Sequence, residues 1–396
     1  MSLNPDTLRG NWSFPTTIWF GAGKISTLAR ACKNLGITRP LLVADPGLSE
    51  LPMIRNAIAA NNAADMPTTL FSNIKPNPVS RNVFDGVAAL RNTGCDGVIA
   101  FGGGSSIDAG KSIALMAAQP EDGVDLWSLE EGRKDWQSAN PPLPIIAIPT
   151  TAGTGSETGR STVVLNEATG RKVIVTHPGM MPGIVIADPE LTLGLPPHIT
   201  AATGMDALAH CLEAYCSPFH NPFCDGVALE GMKLVHDNLT RAVADGSDIT
   251  ARAQMMAAAS MGATAFQKGL GAIHAMSHPI GALYDTHHGL TNAVVMPYVL
   301  MRNRDVIEQK LSQVAAYLGL SRDPAAGFEA FVDWSLELRS TFEMPHTLAE
   351  LGVAESDLDA LAAAAEIDPT AMANPVRLDT AGFRTLFEKA FTGNLG

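Results

Sequence analysis

Gly97-Val98-Ile99-Ala100-Phe101 runs straight into Gly102-Gly103-Gly104-Ser105-Ser106, and a helical pattern continues from Ser106 to Ala118. A short apolar run, a glycine turn and a helix in direct succession suit a strand that must cross over to a parallel neighbour. Outward from this stretch the same alternation fills the first half of the chain. Further strand candidates are Leu41 to Ala44, Ile145 to Ile148, Arg171 to Thr176 and Ile184 to Ala187, with helix candidates at Met53 to Asn62 and Val79 to Thr93. Such alternation predicts an α/β domain, a mostly parallel sheet covered by helices. From about Pro196 the pattern changes. Ala, Met and Leu dominate, β-branched runs nearly vanish, and 3.6-residue periodicity persists to Phe391, which predicts an all-α second half. The proline-rich stretch from Asp188-Pro189 to Pro196-Pro197 interrupts both patterns. The predicted domains are therefore residues 1–193 and 194–396.

The 396 residues are comfortable for two domains, and 46% hydrophobic against 17% charged residues gives material for a large core. A net charge of −13 argues against a nucleic-acid partner, which would call for clustered Lys and Arg. Five cysteines without regular spacing suit a reduced, cytoplasmic setting. No apolar run approaches a membrane span, and the N-terminus lacks a basic segment followed by an apolar stretch, so neither a membrane anchor nor a signal peptide is expected.

In the first half three features suit a nucleotide. Glycines at 102–104 allow a phosphate close to the backbone, and the following helix offers free N–H groups and the positive end of its dipole. A tight turn without ligand would look the same. Asp45 follows the strand ending at Ala44, where a carboxylate can accept hydrogen bonds from a ribose diol and repel a 2′-phosphate. An Asp-Pro-Gly turn at Asp45-Pro46-Gly47 is the plainer explanation. The loop Pro149 to Glu157 packs three threonines, a serine and two glycines after a strand, where open α/β sheets bind ligands.

In the second half Asp206 and His210 are four apart and project from one helix face. Four of the ten histidines, His274, His278, His287 and His288, fall in one short stretch. A lone histidine is usually a satisfied core residue, but a cluster with a carboxylate suits a divalent metal such as Fe²⁺ or Zn²⁺. Spacing alone does not choose which two of the four would join Asp206 and His210. Cys211 and Cys216 lie off that helix face and read as small core residues.

These residues together resemble the iron-containing (group III) alcohol dehydrogenase family over nearly the whole chain. The matching motifs are Gly102 to Ser105 with Asp108 and Lys111, the Pro149 to Glu157 loop, Asp206 to His210, and His274 to Gly289. The resemblance implies an α/β dinucleotide-binding domain, a helical metal-binding domain and an active site in the cleft between them. It implies Asp206, His210, His274 and His288 as metal ligands, with His278 beside the metal as a proton relay. Asp45, Asn77, Gly103, Gly104, Ser105, Thr150, Thr151, Thr154 and Lys172 match cofactor-contacting positions, and Asp108 is counted with them. The expected cofactors are NAD rather than NADP, and Fe²⁺ with Zn²⁺ as the second choice. A homodimer or higher homo-oligomer is expected.

Arg160, the Ala265-Phe266-Gln267-Lys268 segment and His287-His288-Gly289 are similar to the 4-hydroxybutyrate dehydrogenase branch. Arg160 or Lys268 would then pair with a substrate carboxylate, although either would serve equally as a solvated surface charge. The implied reaction is hydride transfer between a nicotinamide and a primary alcohol or its aldehyde, and the branch resemblance points to a short ω-hydroxy acid as substrate. The alternative reading is a dehydroquinate synthase-like lyase that uses metal and NAD transiently. That reading would want Glu in place of Asp206 and more basic residues for a phosphorylated substrate.

Overall fold

The computed structural model describes residues 16–120, 123–131 and 140–396. Residues 1–15, assigned with the α/β half and read for a signal peptide on sequence, lie outside the described residues. The chain forms two compact units that change over between Gly194 and Leu195.

The first unit contains β1 (Thr17–Phe20), α1 (Leu28–Asn34), β2 (Pro40–Val43), α2 (Pro46–Ser49), α3 (Pro52–Ala63), β3 (Thr69–Phe71), α4 (Ser80–Thr93), β4 (Gly97–Gly102), α5 (Gly104–Ala117), β5 (Ile145–Pro149), β6 (Ser161–Asn166), β7 (Arg171–Thr176) and β8 (Ile184–Ala187). Six strands form a sheet in the order β1-β8-β5-β4-β2-β3, and every pair is parallel. Parallel strands are buried on both faces, which is why β2, β4, β5 and β8 read as unbroken apolar runs. Alternate residues Leu42, Ile99, Phe101, Ile146, Ile148, Ile184 and Ile186 join one core with Leu28 and Cys32 of α1 and Ile54 of α3.

Three strands escaped the sequence pattern. β1 is an edge strand with exposed ends, β3 has three residues, and β6 alternates weakly. The predicted strand Arg171 to Thr176 exists, but it is not part of the parallel sheet. As β7 it pairs antiparallel with β6 in a separate ribbon.

The order of strands has one consequence for binding. From β2 the chain passes outward to β3, then returns to place β4 on the other side of β2. This reversal is the topological switch point, where adjacent crossovers lie on opposite faces and leave a crevice beyond the strands' C-terminal ends. Asp45 follows β2 and the Gly102–Gly104 turn ends β4, so both border that crevice.

The second unit is helical: α6 (Pro197–Cys216), α7 (Pro222–Ala244), α8 (Ile249–Ala265), α9 (Ala272–Tyr284), α10 (His288–Leu318), α11 (Gly327–Thr341), α12 (Leu358–Glu366) and α13 (Thr380–Thr392). Every residue from Thr200 to Ala214 of α6 is buried, and α7, α8 and α10 pack around it. A helix buried on all sides needs small or apolar residues throughout, which its Ala-rich sequence supplies. The ionisable side chains inside it, Asp206, His210 and Glu213, must therefore find partners. Among the described residues no helix is long and apolar enough to cross a membrane.

Candidate metal centre and nucleotide crevice

In the helical unit Asp206 and His210 sit one turn apart on α6, His274 lies in the first turn of α9, and His288 opens α10. One potential ligand atom from each lies within 4.8 Å of the other three. The Nε2 atoms of His210, His274 and His288 are 3.7, 3.9 and 3.6 Å from Asp206 Oδ1. Ligands about 2.1 Å from a tetrahedral metal stand about 3.4 Å apart, so the donor set is close to the size of a divalent-cation cage. The rings of His210 and His274 stack at 4.8 Å, which holds both edges toward the same point. One carboxylate and three imidazoles, largely buried, fit Fe²⁺ or Zn²⁺. His278 is not part of the cage. Its ring stacks on that of His288 at 5.5 Å and meets His274 edge-on at 5.9 Å.

The sequence reading missed three residues here. Glu213 Oε2 lies 2.5 Å from His274 Nδ1, and Oε1 accepts the backbone N–H of Ile273 at 2.7 Å. This carboxylate pins the start of α9 and leaves Nε2 of His274 facing the cage. Burial disfavours a charged His274, but the nearby Glu213 carboxylate outweighs it and raises the imidazole above its ordinary value. Asn292 donates to Asp206 Oδ1 at 2.8 Å, and its Nδ2 lies 3.3 and 3.2 Å from the Nε2 atoms of His274 and His288. Asp368 meets His278 Nδ1 at 2.8 Å. Two of the three were legible. Glu213 is seven residues after Asp206 on one face of α6, and Asn292 is one turn after His288. Asp368 had no local signal.

In the α/β unit several of the predicted cofactor residues lie around the glycine turn and the threonine loop. Gly103 caps the N-terminus of α5 without a side-chain bond. Thr151 and Thr154 stand against Gly103 and Gly104, and a Cβ at Gly104 would fall 2.7 Å from Thr154 Cγ2. Thr150 N–H donates to Gly102 O at 3.0 Å, which ties the threonine loop to the glycine turn. Ser105 donates to Pro76 O and so brings Asn77 to the same rim. Leu165 N–H of β6 donates to Pro78 O at 2.8 Å, and Lys172 is the ladder partner of Leu165 across the ribbon. Asp45 also makes the turn anticipated for it. Oδ1 caps α2 at Leu48 N, 3.2 Å away, and Oδ2 accepts from Ser106 Oγ at 3.4 Å. Each oxygen keeps a second lone pair for another donor.

Two predicted contact residues have partners within the protein. Asp108 is engaged inside the unit, where one oxygen takes Ser156 Oγ and the other takes Val163 N at 2.8 Å. With Lys111, which is fully buried and donates to the carbonyls of Ser156, Gly159 and Ser161, it fixes the far end of the threonine loop. Lys268 is not available to a substrate. It is 3% exposed, and its ammonium is held by the Asp225 carboxylate and Tyr215 O. Arg160 is exposed. Cys211 and Cys216 are core residues, with burial pushing both thiols up to about 12.

Both halves of the chain match family models. Residues 15–189 match the iron-containing alcohol dehydrogenase model, and residues 200–391 match the C-terminal model of the Fe-containing alcohol dehydrogenase family. The chain is 38% identical to a 4-hydroxybutyrate dehydrogenase of Cupriavidus necator over 95% of its own length and 98% of that protein's. A crystal structure of 1,3-propanediol oxidoreductase superposes with a TM-score of 0.91 at 34% identity, covering 96% of this chain and 99% of that one. A sulfoacetaldehyde reductase from Bifidobacterium kashiwanohense, solved in complex with NAD+, superposes with a TM-score of 0.85 at 28% identity, covering 96% and 98%.

The approach of α10 to α6 sets the cage. A Cβ on Gly289 would lie 2.1 Å from the backbone oxygen of Ala202, so only glycine lets His288 reach Asp206. Gly289→Ala is expected to destabilise the protein by about 1–3 kcal/mol, seen as a lower urea midpoint, and to reduce Zn²⁺ uptake. Unchanged stability and uptake would mean that this helix contact does not set the cage.

Proposed function

The chain belongs to the iron-containing alcohol dehydrogenase family of oxidoreductases, and we propose that it is a metal- and NAD-dependent dehydrogenase of a short primary alcohol with a terminal carboxylate. The observation that carries the metal reading is the gathering of Asp206, His210, His274 and His288 around one point inside the helical unit. These four residues would hold Fe²⁺, or Zn²⁺ as the second choice. A divalent cation there supplies a Lewis acid that lowers the pKa of an alcohol hydroxyl or polarises an aldehyde carbonyl. Glu213 and Asn292 orient the donor atoms, and His278 takes or returns the proton. The threonine loop and the glycine turn hold the cofactor at the crevice of the sheet, with phosphate at the uncapped start of α5. The test is direct. Chelation should abolish alcohol-dependent NADH formation, and added Fe²⁺ should restore it. His274→Ala should lose metal and activity together, and a His274→Ala protein with full metal content would overturn the ligand assignment.

NAD is favoured over NADP because Asp45 stands at the C-terminal end of β2, where a carboxylate accepts from a ribose diol and repels a 2′-phosphate. The relative solved with NAD+ supports the same choice. Asp45→Ser should narrow or reverse the preference in kcat/KM. Equal use of both cofactors by the unaltered protein would remove this role from Asp45.

For the substrate, support comes from the 4-hydroxybutyrate dehydrogenase relative and from Arg160, the remaining basic candidate once Lys268 is bound internally. An Arg fork binds both oxygens of a carboxylate. A charge-assisted pair of about 1.5–3 kcal/mol gives 4-hydroxybutyrate a roughly ten- to hundredfold advantage over 1-butanol in kcat/KM. Arg160→Gln should erase that advantage and leave 1-butanol oxidation nearly intact. Equal rates on the two alcohols in the unaltered protein would overturn the substrate assignment.

A further inference from the structure

Asp368 lies 90 residues from His278 in sequence, in the turn between α12 and the short 3-10 segment Pro369–Ala373. Its two oxygens have separate tasks. Oδ1 accepts Thr370 N at 2.9 Å and Thr370 Oγ1 at 2.5 Å, which caps the 3-10 segment. Oδ2 is left to His278 Nδ1 at 2.8 Å. An ionised carboxylate can only accept, so Nδ1 must carry the proton. Burial works to raise the Asp368 carboxyl, but His278 and the Thr370 bonds hold it below its ordinary value, so it is ionised near neutral pH. The other face of the imidazole is fixed as well, by the stack on His288 and the edge contact with His274. Ring plane and tautomer are thus both set, and Nε2 is the nitrogen that keeps a lone pair.

Resting on the reading of His278 as the proton relay, we propose that Asp368 is a positioning residue that fixes the His278 tautomer whose Nε2 accepts the alcohol proton. The logic is that of a carboxylate behind a general-base histidine. A cap alone would need only Oδ1. Asn at position 368 can keep that cap through its carbonyl oxygen, but it then offers N–H₂ to His278 Nδ1. The imidazole must answer as an acceptor, which moves its proton to Nε2 and removes the base.

The experiment uses the Zn²⁺-loaded full-length protein with ¹⁵N-labelled histidine, together with steady-state kinetics of Asp368→Asn, His278→Ala and the double variant. The expected result is an Nδ1-protonated His278 in the unaltered protein and an Nε2-protonated one in Asp368→Asn, at equal metal content. kcat should fall about 10²- to 10⁴-fold in Asp368→Asn, the range of a general base, with the KM for NAD+ unchanged. In the His278→Ala background the same substitution should change kcat by less than about twofold, because independent effects add and shared ones do not. A merely structural Asp368 would instead give multiplying effects and an unshifted tautomer, and either result overturns the proposal. If no alcohol is oxidised even by the unaltered protein, the functional reading fails, while the ¹⁵N shifts still decide whether Asp368 sets the tautomer.

Discussion

A carboxylate buried inside a helix bundle must be surrounded by partners or it will not stay ionised there. Asp206 is 2% exposed in the middle of α6, and the neighbouring helices of this unit are arranged to meet it. His210 comes from its own helix, His274 from α9, and His288 with Asn292 from α10. Three helices therefore converge on one oxygen. The close approach of α10 at Gly289 and of α8 at Gly262, where a Cβ would lie 3.0 Å from His210 Cβ, follows from the same demand. A second tier of carboxylates adds to this by holding the outer nitrogen of two of these clustered histidines. Glu213 does this for His274, and Asp368 does it for the neighbouring His278.

The α/β unit solves a different problem with backbone rather than side-chain charge. Its crevice is made by strand order, by the glycine turn after β4 and by the threonine loop after β5. The Asp108–Lys111 pair gives that loop a fixed end. Burial pushes the Asp108 carboxyl up and the Lys111 ammonium down, and their mutual attraction opposes both shifts. Lys111 answers with three carbonyl acceptors, one for each N–H of the ammonium. Both residues belong to the matched glycine motif, and in the structure both brace the threonine loop.

Lys268 carries the same lesson in the helical unit. Its place beside a histidine-rich motif made it a candidate for a substrate anion, but a lysine 3% exposed in a tight helical segment needs its own counter-ion, and Asp225 is that counter-ion. Proximity in sequence to a functional motif says nothing about where an ammonium points.

The sequence determined what is local and periodic. Apolar runs separated by helical patterns gave β2, β4, β5 and β8 with their helices, and the 3.6-residue period gave the helical half. It also brought Asp206 to His210 and gathered the histidines, because residues one turn apart must share a face. It did not separate the β6–β7 ribbon from the parallel sheet, since a strand's partner is not written in the strand. Nor did spacing alone choose His274 and His288 over their neighbours. That choice came from the family resemblance, and in the structure it corresponds to which ring edges helix packing turns toward Asp206. Asp368 shows the limit most plainly. It lies 90 residues from the histidine it holds, and a hydrogen bond across that separation exists only once the tertiary fold has closed the distance.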